Sequence, residues 1–523
     1  MPEEPELGVA GTKSLPRPQA IENEVYPDNG GELFFGFVSP VGTSEQRVVD
    51  EFTRELKGRG YEVEVIRLSE LLAAYADPDR LRSETEFQRI RSRQRAGNEL
   101  RRKHGNDVVA RIGCAAVASR RTEGQSEGGE RPSDRRAYLF RSLKHPDEAS
   151  LLRTVYGRGF YLIAAHAGYE ERVTDLVGRG MRIEDAVELM TLDDKEADEN
   201  GQNTRECFEL ADFYTTGSER LPANVTRYIE LLFEALYVTP TRDEYAMFMA
   251  ASAAQRSGDL ARQVGAAICS KGGEVLSVGC NEVPKAMGGA YWPGDEPDVR
   301  DWRLGGDPND REKSERRGRF RNALGKAFGD LNVPLTDEQF DHAWAESGLK
   351  DITEFQRVIH AEMDAILTAA RHGVSIAQAS LFSTTFPCHN CARHIVGAGI
   401  TRVVYIEPYA KSQAYSLHGD SIECRAIPYP ERPKPQATER VLFEPFEGVA
   451  PRRYSDLFSM RWPTGRRIDR KASDGRTLPQ HLANLSTPRL RLSEFSYLER
   501  EQVAIQLIQK LGLSEDEGKT PPL

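Results

Sequence analysis

The sequence predicts an α/β protein: a parallel sheet in its amino-terminal part and a second α/β unit behind it. Three observations carry that reading. Short apolar runs alternate with charged, helix-patterned stretches from Glu32 to about residue 215. A glycine-turned hairpin follows around Gly272 and Gly273, and 523 residues are too many for one hydrophobic core. Hydrophobic residues at 39% and charged residues at 29% are the composition of a globular chain and not of a disordered one. The formal net charge of −11 argues against non-specific nucleic-acid binding by the whole molecule. Seven cysteines in this length exclude a disulfide scaffold, so the one clustered pair, Cys388 and Cys391, is expected to be chemical. No apolar run approaches the roughly 18 residues of a membrane span. The acidic start MPEEPELG lacks the basic and apolar regions of an export signal, so a cytoplasmic protein without membrane contact is expected.

Residues 1–30, rich in Pro, Gly, Glu and Asn, read as a flexible leader. The runs LFFGFV, YEVEVI, VVARIGCAAVA, AYLFRSL and FYLIAAHA are the expected strands, and residues 121–134 read as a solvated loop. The first run leads through Ser39, Pro40, Val41, Gly42, Thr43 and Ser44 into a helix. Such a turn offers backbone N–H groups to a phosphate, so residues 31–238 resemble a P-loop NTPase or kinase-like domain, with Gly36, Gly42, Thr43 and Ser44 as nucleotide-binding candidates. ATP or GTP with Mg²⁺ is the ligand this implies, Ser44 touching a magnesium-bound phosphate. The pattern departs from a P-loop in two places: Gly36 is one residue too far from Gly42, and Thr43 stands where lysine belongs. No strand here ends in a clear Asp for the magnesium. The arginine-rich stretch from Arg80 to Lys103 is either a substitute source of positive charge or a solvated helix face. A plain strand-to-helix turn without ligand is the competing reading.

A helix over residues 225–236 ends at Thr239 and Pro240, where a domain boundary is placed. Thr241 and Glu244 form a capping box for the helix DEYAMFMAASAAQRS. QVGAAICS and EVLSVGCNEV then make the hairpin, with Cys269 and Cys280 as buried hydrophobes. Residues 285–350 look like a long excursion between core elements. Helix FQRVIHAEMDAILTAARHG, strand ASLFSTTF, helix CHNCARHIVGAG and strand TRVVYIEPY complete a domain of residues 239–450.

The chemistry sits in His360-Ala361-Glu362 and Pro387-Cys388-His389-Asn390-Cys391. One nitrogen and two sulfur donors are what a catalytic zinc site uses, leaving a fourth position for water. The two cysteines fall in the first turn of one helix, where the dipole favours thiolates, and His360 lies near the start of the preceding helix. Glu362 is not counted as a ligand and is the candidate proton shuttle. A structural zinc knuckle would need a fourth ligand, which His389 or His394 supplies only on paper.

These residues resemble a known family. An H-x-E followed by P-C-x-x-C is the signature of zinc deaminases, and RSGDLARQVGAAI, VGCNEVP, HAEMDAI and TTFPCHNCARHIVGAGI, within residues 240 to 430, resemble deoxycytidylate deaminases. The resemblance implies a cytidine-deaminase-like α/β/α sandwich, zinc on His360, Cys388 and Cys391, Glu362 as proton donor and acceptor, Asn281 on the sugar, and an oligomer. Arg256 and Arg262, before the first hairpin strand, are candidate phosphate contacts, with a surface ion pair as the bland alternative. Lys411, followed by Ser412, is a second phosphate candidate. Tyr405 would stack on the base if it did not simply belong to the core. A P-loop-like domain ahead of such a deaminase is similar to bacterial anti-phage dCTP deaminases. That family converts dCTP and dCMP to the deoxyuridine nucleotides, which implies an RNA or protein inhibitor that holds the enzyme back.

Residues 451–523 form a basic extension ending in an amphipathic helix, EFSYLEREQVAIQLIQKLG. Its Lys and Arg residues interleave with Tyr454, Phe458 and Trp462, a pattern that binds single-stranded nucleic acid or pairs with the acidic remainder of the chain. Three functions follow: a deaminase of free deoxycytidine nucleotides, which leads; a polynucleotide cytidine deaminase; and a non-catalytic nucleotide sensor.

Overall fold

The computed structural model describes residues 31–72, 75, 85–123, 135–194, 200–233, 235–330, 336–348, 355–408, 412–424, 439–461, 467–478, 488 and 494–510. The leader, Lys411, Trp462 and most of the 121–134 loop lie outside the described residues.

Strands β1 (Leu33–Val38), β2 (Glu62–Arg67), β3 (Arg136–Leu143), β4 (Phe160–His166) and β5 (Phe213–Thr216) form a parallel sheet in the order β5-β4-β1-β3-β2. All six residues of β1 are buried, as a central parallel strand covered on both faces requires. Phe35 and Phe37 pack on one face with Leu139 and Tyr161, while Phe34 packs on the other with Tyr138 and Phe140. Helices α1 (Glu45–Gly58), α2 (Glu86–His104), α3 (Val108–Glu123) and α4 (Pro146–Tyr156) accompany these strands.

The run VVARIGCAAVA, expected as a strand, is the core of α3. A short apolar run cannot by itself distinguish a buried strand from a buried helix. Here Gly113 settles the packing: a side chain there would stand 2.9 Å from Leu68 Cδ2. β5 was not foreseen; it spans only four residues, too short for its pattern to show.

The second sheet runs β10-β11-β9-β8-β6-β7, built from β6 (Gly265–Cys269), β7 (Val275–Cys280), β8 (Ser380–Thr385), β9 (Arg402–Glu407), β10 (Ile422–Cys424) and β11 (Val441–Pro445). β6 pairs antiparallel with β7 and β8, and β8, β9, β11 and β10 are parallel. Helix α5 (Arg242–Ala254) opens with the expected capping box: Glu244 N donates to Thr241 Oγ1 at 3.1 Å, and Thr241 N to the Glu244 carboxylate at 2.7 Å. α5 covers one face and helix α6 (Ala361–Arg371) the other; helix α7 (His389–Gly397) follows β8. Glycines let both covering helices approach closely. A Cβ on Gly265 would sit 1.9 Å from Ala250 O, and one on Gly279 2.3 Å from Ala365 N. The described part of the 285–350 excursion holds three further helices, Asp301–Leu304, Pro308–Asp330 and Asp337–Glu346.

The chain then returns to the first sheet. β12 (Gly448–Val449) pairs antiparallel with β5, and helix α8 (Pro451–Phe458) follows it. Two basic residues here, buried Arg453 and exposed Arg452, are bonded back to the amino-terminal unit. Arg453 donates to Asp212 at 3.0 Å and to Phe160 O at 2.7 Å, and Arg452 to Leu210 O at 2.8 Å. Tyr454 stacks on Phe248 at 4.1 Å. Helix α9 (Glu494–Lys510) closes on α3 and α4, with Tyr497 buried against Phe34 and Tyr156. No described helix is long and apolar enough to cross a membrane.

Candidate active site

His360 is the N-cap of α6 and Cys388 the N-cap of α7, so two helix N-termini meet. His360 Nδ1 lies 3.3 Å from Cys388 Sγ and 3.3 Å from Cys391 Sγ. The three donor atoms lie within 4.8 Å of one another. Ordinary Zn–N and Zn–S bond lengths at the tetrahedral angle separate such donors by about 3.6 Å, so the set fits one zinc ion.

The electrostatics agree with a ligand set. The Cys388 thiol is pulled down to about 4, first by a hydrogen bond from Cys391 and then by His360. Cys391 is pushed up because it supplies that bond and is buried, and His360 is raised by its bond to Cys388. Protons shared among three groups this close are what a cation would displace. Glu362, two residues into α6, is 4% exposed and accepts from Cys391 Sγ at 3.4 Å. Burial raises its carboxyl pKa, opposed by His360, which suits a group that must hold and release a proton.

These residues open on a cavity of about 300 Å³. Of the expected substrate contacts, Asn281 and Arg262 line it with His360, Glu362 and Cys388. Asn281 is fixed in place: its Oδ1 accepts from Val264 N at 2.7 Å and its Nδ2 donates to Arg262 O at 2.8 Å. Arg262 is anchored by Glu407 and by Thr385 Oγ1 at 3.1 Å, with two fifths of its side chain exposed.

Two other candidates are placed elsewhere. Arg256 donates to Cys280 Sγ at 3.3 Å and to the carbonyls of Ala290 and Tyr291 at 3.2 Å, under the Trp292 ring at 3.7 Å. Its guanidinium therefore fastens the segment after β7 and does not line the cavity. Tyr405 is 1% exposed and packs edge-on against Phe386 within the sheet core, so it cannot stack on a base in the cavity. Ser412 donates to Pro387 O at 2.8 Å, bracing the turn before Cys388.

Sequence reasoning missed Gln356, whose Oε1 lies 3.0 Å from His360 Nε2, and Phe386 in the cavity wall. Gln356 lies outside the quoted motifs, and Phe386, inside TTFPCHNC, stands next to a signature read only for its metal ligands. His389, which also lines the cavity, keeps a buried Nδ1 with no partner among the described residues.

In the amino-terminal half, the turn from β1 to α1 uses part of its own backbone N–H groups within the protein. Gly36 lies inside β1, where a side chain would strike Leu143 at 2.6 Å and Phe160 at 2.7 Å, so its role is packing. Gly42 has φ of +84° and passes close to Arg172, a conformation suited to glycine. Val41 N donates to Asp193 at 2.7 Å and Thr43 N to Pro40 O at 3.0 Å, so these two groups serve the protein itself.

An imidazole and two thiols thus meet beside a buried carboxylate, on helices that flank a mixed sheet, in a set able to hold a metal ion. Residues 240–407 match the family described as the cytidine and deoxycytidylate deaminase zinc-binding region. Deoxycytidylate deaminase of Enterobacteria phage T2 is 49% identical over 55 residues, which is 10% of this chain and 29% of the phage protein. The probable deoxycytidylate deaminase of Drosophila melanogaster is 24% identical over 205 residues, 39% of this chain and 78% of that protein. The chain thus spans under a third of the phage relative's length and more of the fly protein's. The crystal structure of dCMP deaminase from the cyanophage S-TIM5 in complex with dCMP and dUMP shares 19% identity, covering 35% of this chain and 92% of that one, with a TM-score of 0.21.

Proposed function

We propose that this chain is a zinc-dependent hydrolytic deaminase of deoxycytidine nucleotides, converting dCTP or dCMP and water to the deoxyuridine nucleotide and ammonia. The observation that carries the reading is the convergence of His360 Nδ1, Cys388 Sγ and Cys391 Sγ within 4.8 Å, with buried Glu362 beside them. When bound, zinc supplies Lewis acidity that makes water nucleophilic near neutral pH. The chain's own residues do the rest. Glu362 takes one proton from the attacking water and passes it to the ring nitrogen, then takes the second from the new hydroxyl and passes it to the amine, which leaves as ammonia when the C–N bond breaks. Asn281, held by Val264 and Arg262, keeps amide valences for a sugar hydroxyl. Arg262 offers the exposed edge of its guanidinium to a phosphate. The cavity wall at Phe386 supplies an apolar surface for the base.

The polynucleotide reading keeps only part of its basic tail, since Arg453 is buried on Asp212 and Arg452 bonds a backbone carbonyl, while Arg461, Arg467, Lys471 and Arg476 stay exposed. Depletion of the deoxycytidine nucleotide pool against phage is the biological role we attach to the reaction. The test is ammonia release by zinc-loaded protein from dCTP, dCMP and deoxycytidine. Nucleotides should turn over and the nucleoside should be poor. Full activity of Cys388→Ala would defeat the metal assignment, and equal turnover of nucleoside and nucleotide would remove Arg262. A defence role requires that Glu362→Gln abolish protection of cells that carry the intact chain.

A further inference from the structure

Arg262 stands between two cavities. With Thr385 it lines the substrate cavity, and the same two residues line a neighbouring cavity of about 280 Å³ at the seam between the two sheets. Glu209 and Tyr214 reach this second cavity from the amino-terminal unit, Thr385 and Glu407 from the ends of β8 and β9, and Arg452 from α8. Glu407 lines the second cavity and not the first, so any effect it has on substrate passes through Arg262.

Glu407 is 7% exposed and ties three parts of the wall together. Its carboxylate forms an ion pair with Arg262 and accepts from Thr385 Oγ1 at 3.0 Å, and its backbone carbonyl accepts from Phe386 N at 2.8 Å. Arg262 gives Nη2 to both Glu407 and Thr385, while its Nε and Nη1 bond nothing among the described residues. A guanidinium gripped by one nitrogen keeps its other donors for an anion.

Other carboxylates compete for this cation. Asp259, Asp301 and Asp307 also line the substrate cavity. Released from Glu407, the flexible Arg262 side chain is drawn towards them, and a substrate phosphate then meets carboxylates where it now meets a guanidinium.

A second carboxyl steadies Glu407 from the amino-terminal unit. Glu209, the last residue of the short helix Thr204–Glu209, is hydrogen-bonded to it. Glu209 keeps an exposed edge, yet its carboxyl is pushed up to about 7, first by burial and then by Glu407. Two carboxyls this close share a proton, which Glu209 donates and Glu407 accepts. The other charged groups beside the pair are Arg262, Glu206 and Arg452, the last 3.4 Å from Asp212.

We propose, resting on the reading of Arg262 as the phosphate contact, that Glu407 is the positioning residue that turns Arg262 to the substrate, and that Glu209 makes the amino-terminal unit part of that grip.

The experiment measures KM and kcat for dCMP and deoxycytidine, with equilibrium binding of dCMP beside them. The proteins are the zinc-loaded full chain and its Glu407→Gln, Glu209→Ala, Glu209→Gln and Arg262→Gln variants. Glu407→Gln should raise KM and Kd for dCMP by about tenfold or more and leave kcat within about threefold. It should leave kcat/KM for deoxycytidine unchanged, because the nucleoside has no phosphate to lose. Glu209→Ala should raise the dCMP values by about threefold or more, and Glu209→Gln, whose amide donates the same hydrogen bond, should restore them. If Glu407→Gln misfolds, the two Glu209 variants decide. The proposal is overturned if Arg262→Gln removes the preference for nucleotide while Glu407→Gln keeps it, if Glu209→Gln does no better than Glu209→Ala, or if nucleoside turnover falls along with nucleotide turnover. A parent that turns over and binds nucleoside and nucleotide equally overturns the phosphate reading of Arg262 itself, and this proposal with it.

Discussion

Arg121 on α3 and Glu501 on α9 form an ion pair, Nη1 to Oε2 at 2.6 Å, across 380 positions of sequence. Glu32, just before β1, accepts from the same guanidinium at 2.9 and 2.8 Å, and Tyr156 donates to Glu501 at 2.6 Å. All of these side chains are almost wholly buried. The carboxy-terminal helix is thereby a built part of the amino-terminal unit.

Removing the one cation from this cluster leaves two buried carboxylates facing each other. Arg121→Met should therefore destabilise the folded chain by about 3–5 kcal/mol, the usual consequence of breaking a buried pair from one side. Urea denaturation monitored through Tyr497 and its neighbours would measure it. An unchanged midpoint would show that the pair is solvated and α9 loosely attached.

His166, at the end of β4, has its Nε2 buried without a partner among the described residues. Burial first, and Arg172 second, lower its pKa from 6.5 to about 4. The unfolded chain takes up a proton below about pH 6.5 that the folded chain refuses until about pH 4. The contribution is therefore whole above pH 6.5 and is lost as the pH falls towards 4, by about 3 kcal/mol at most. Stability curves between pH 4 and 7 for the parent and for His166→Phe should differ in slope over that window; parallel curves would reject the assignment.

Gly279 on β7 faces α6, the helix that carries His360 at its N-cap and Glu362 in its first turn. A methyl there would lie 2.4 Å from Ala361 O as well as 2.3 Å from Ala365 N, both backbone atoms that cannot step aside alone. Gly279→Ala should push α6 off the sheet, cost about 1–3 kcal/mol and lower zinc retention with it. Zinc content after gel filtration, beside the melting temperature, distinguishes this from simple destabilisation. A variant that melts lower yet keeps full zinc would mean that α6 moves without disturbing His360.

What the sequence made legible divides along sequence distance. His360, Cys388 and Cys391 sit in two short motifs, while the helix expected from Phe355 starts only at Ala361, with His360 as its N-cap. The capping box of Thr241 and Glu244 and the hairpin of β6 and β7 were legible for the same reason. Arg256 was misplaced because a guanidinium says nothing of which carbonyls it will meet, here those of Ala290 and Tyr291. Arg121 with Glu501 and the return of β12 to β5 join distant segments and leave no periodic trace.

Gln356 provides the last test, since it bears on which imidazole nitrogen binds metal. Its Oε1 lies 3.0 Å from His360 Nε2, and an amide oxygen can only accept, so Nε2 carries the hydrogen and Nδ1 turns its lone pair towards Cys388 and Cys391. Partners of this kind fix the tautomer and ring orientation, and their loss typically weakens metal binding 10- to 100-fold. Gln356→Ala should show that loss in competition with a chromophoric chelator, while Gln356→Glu, which keeps an acceptor oxygen, should recover most of it. Equal zinc affinity in the parent and Gln356→Ala would mean that the ring is oriented by the metal and the thiols alone.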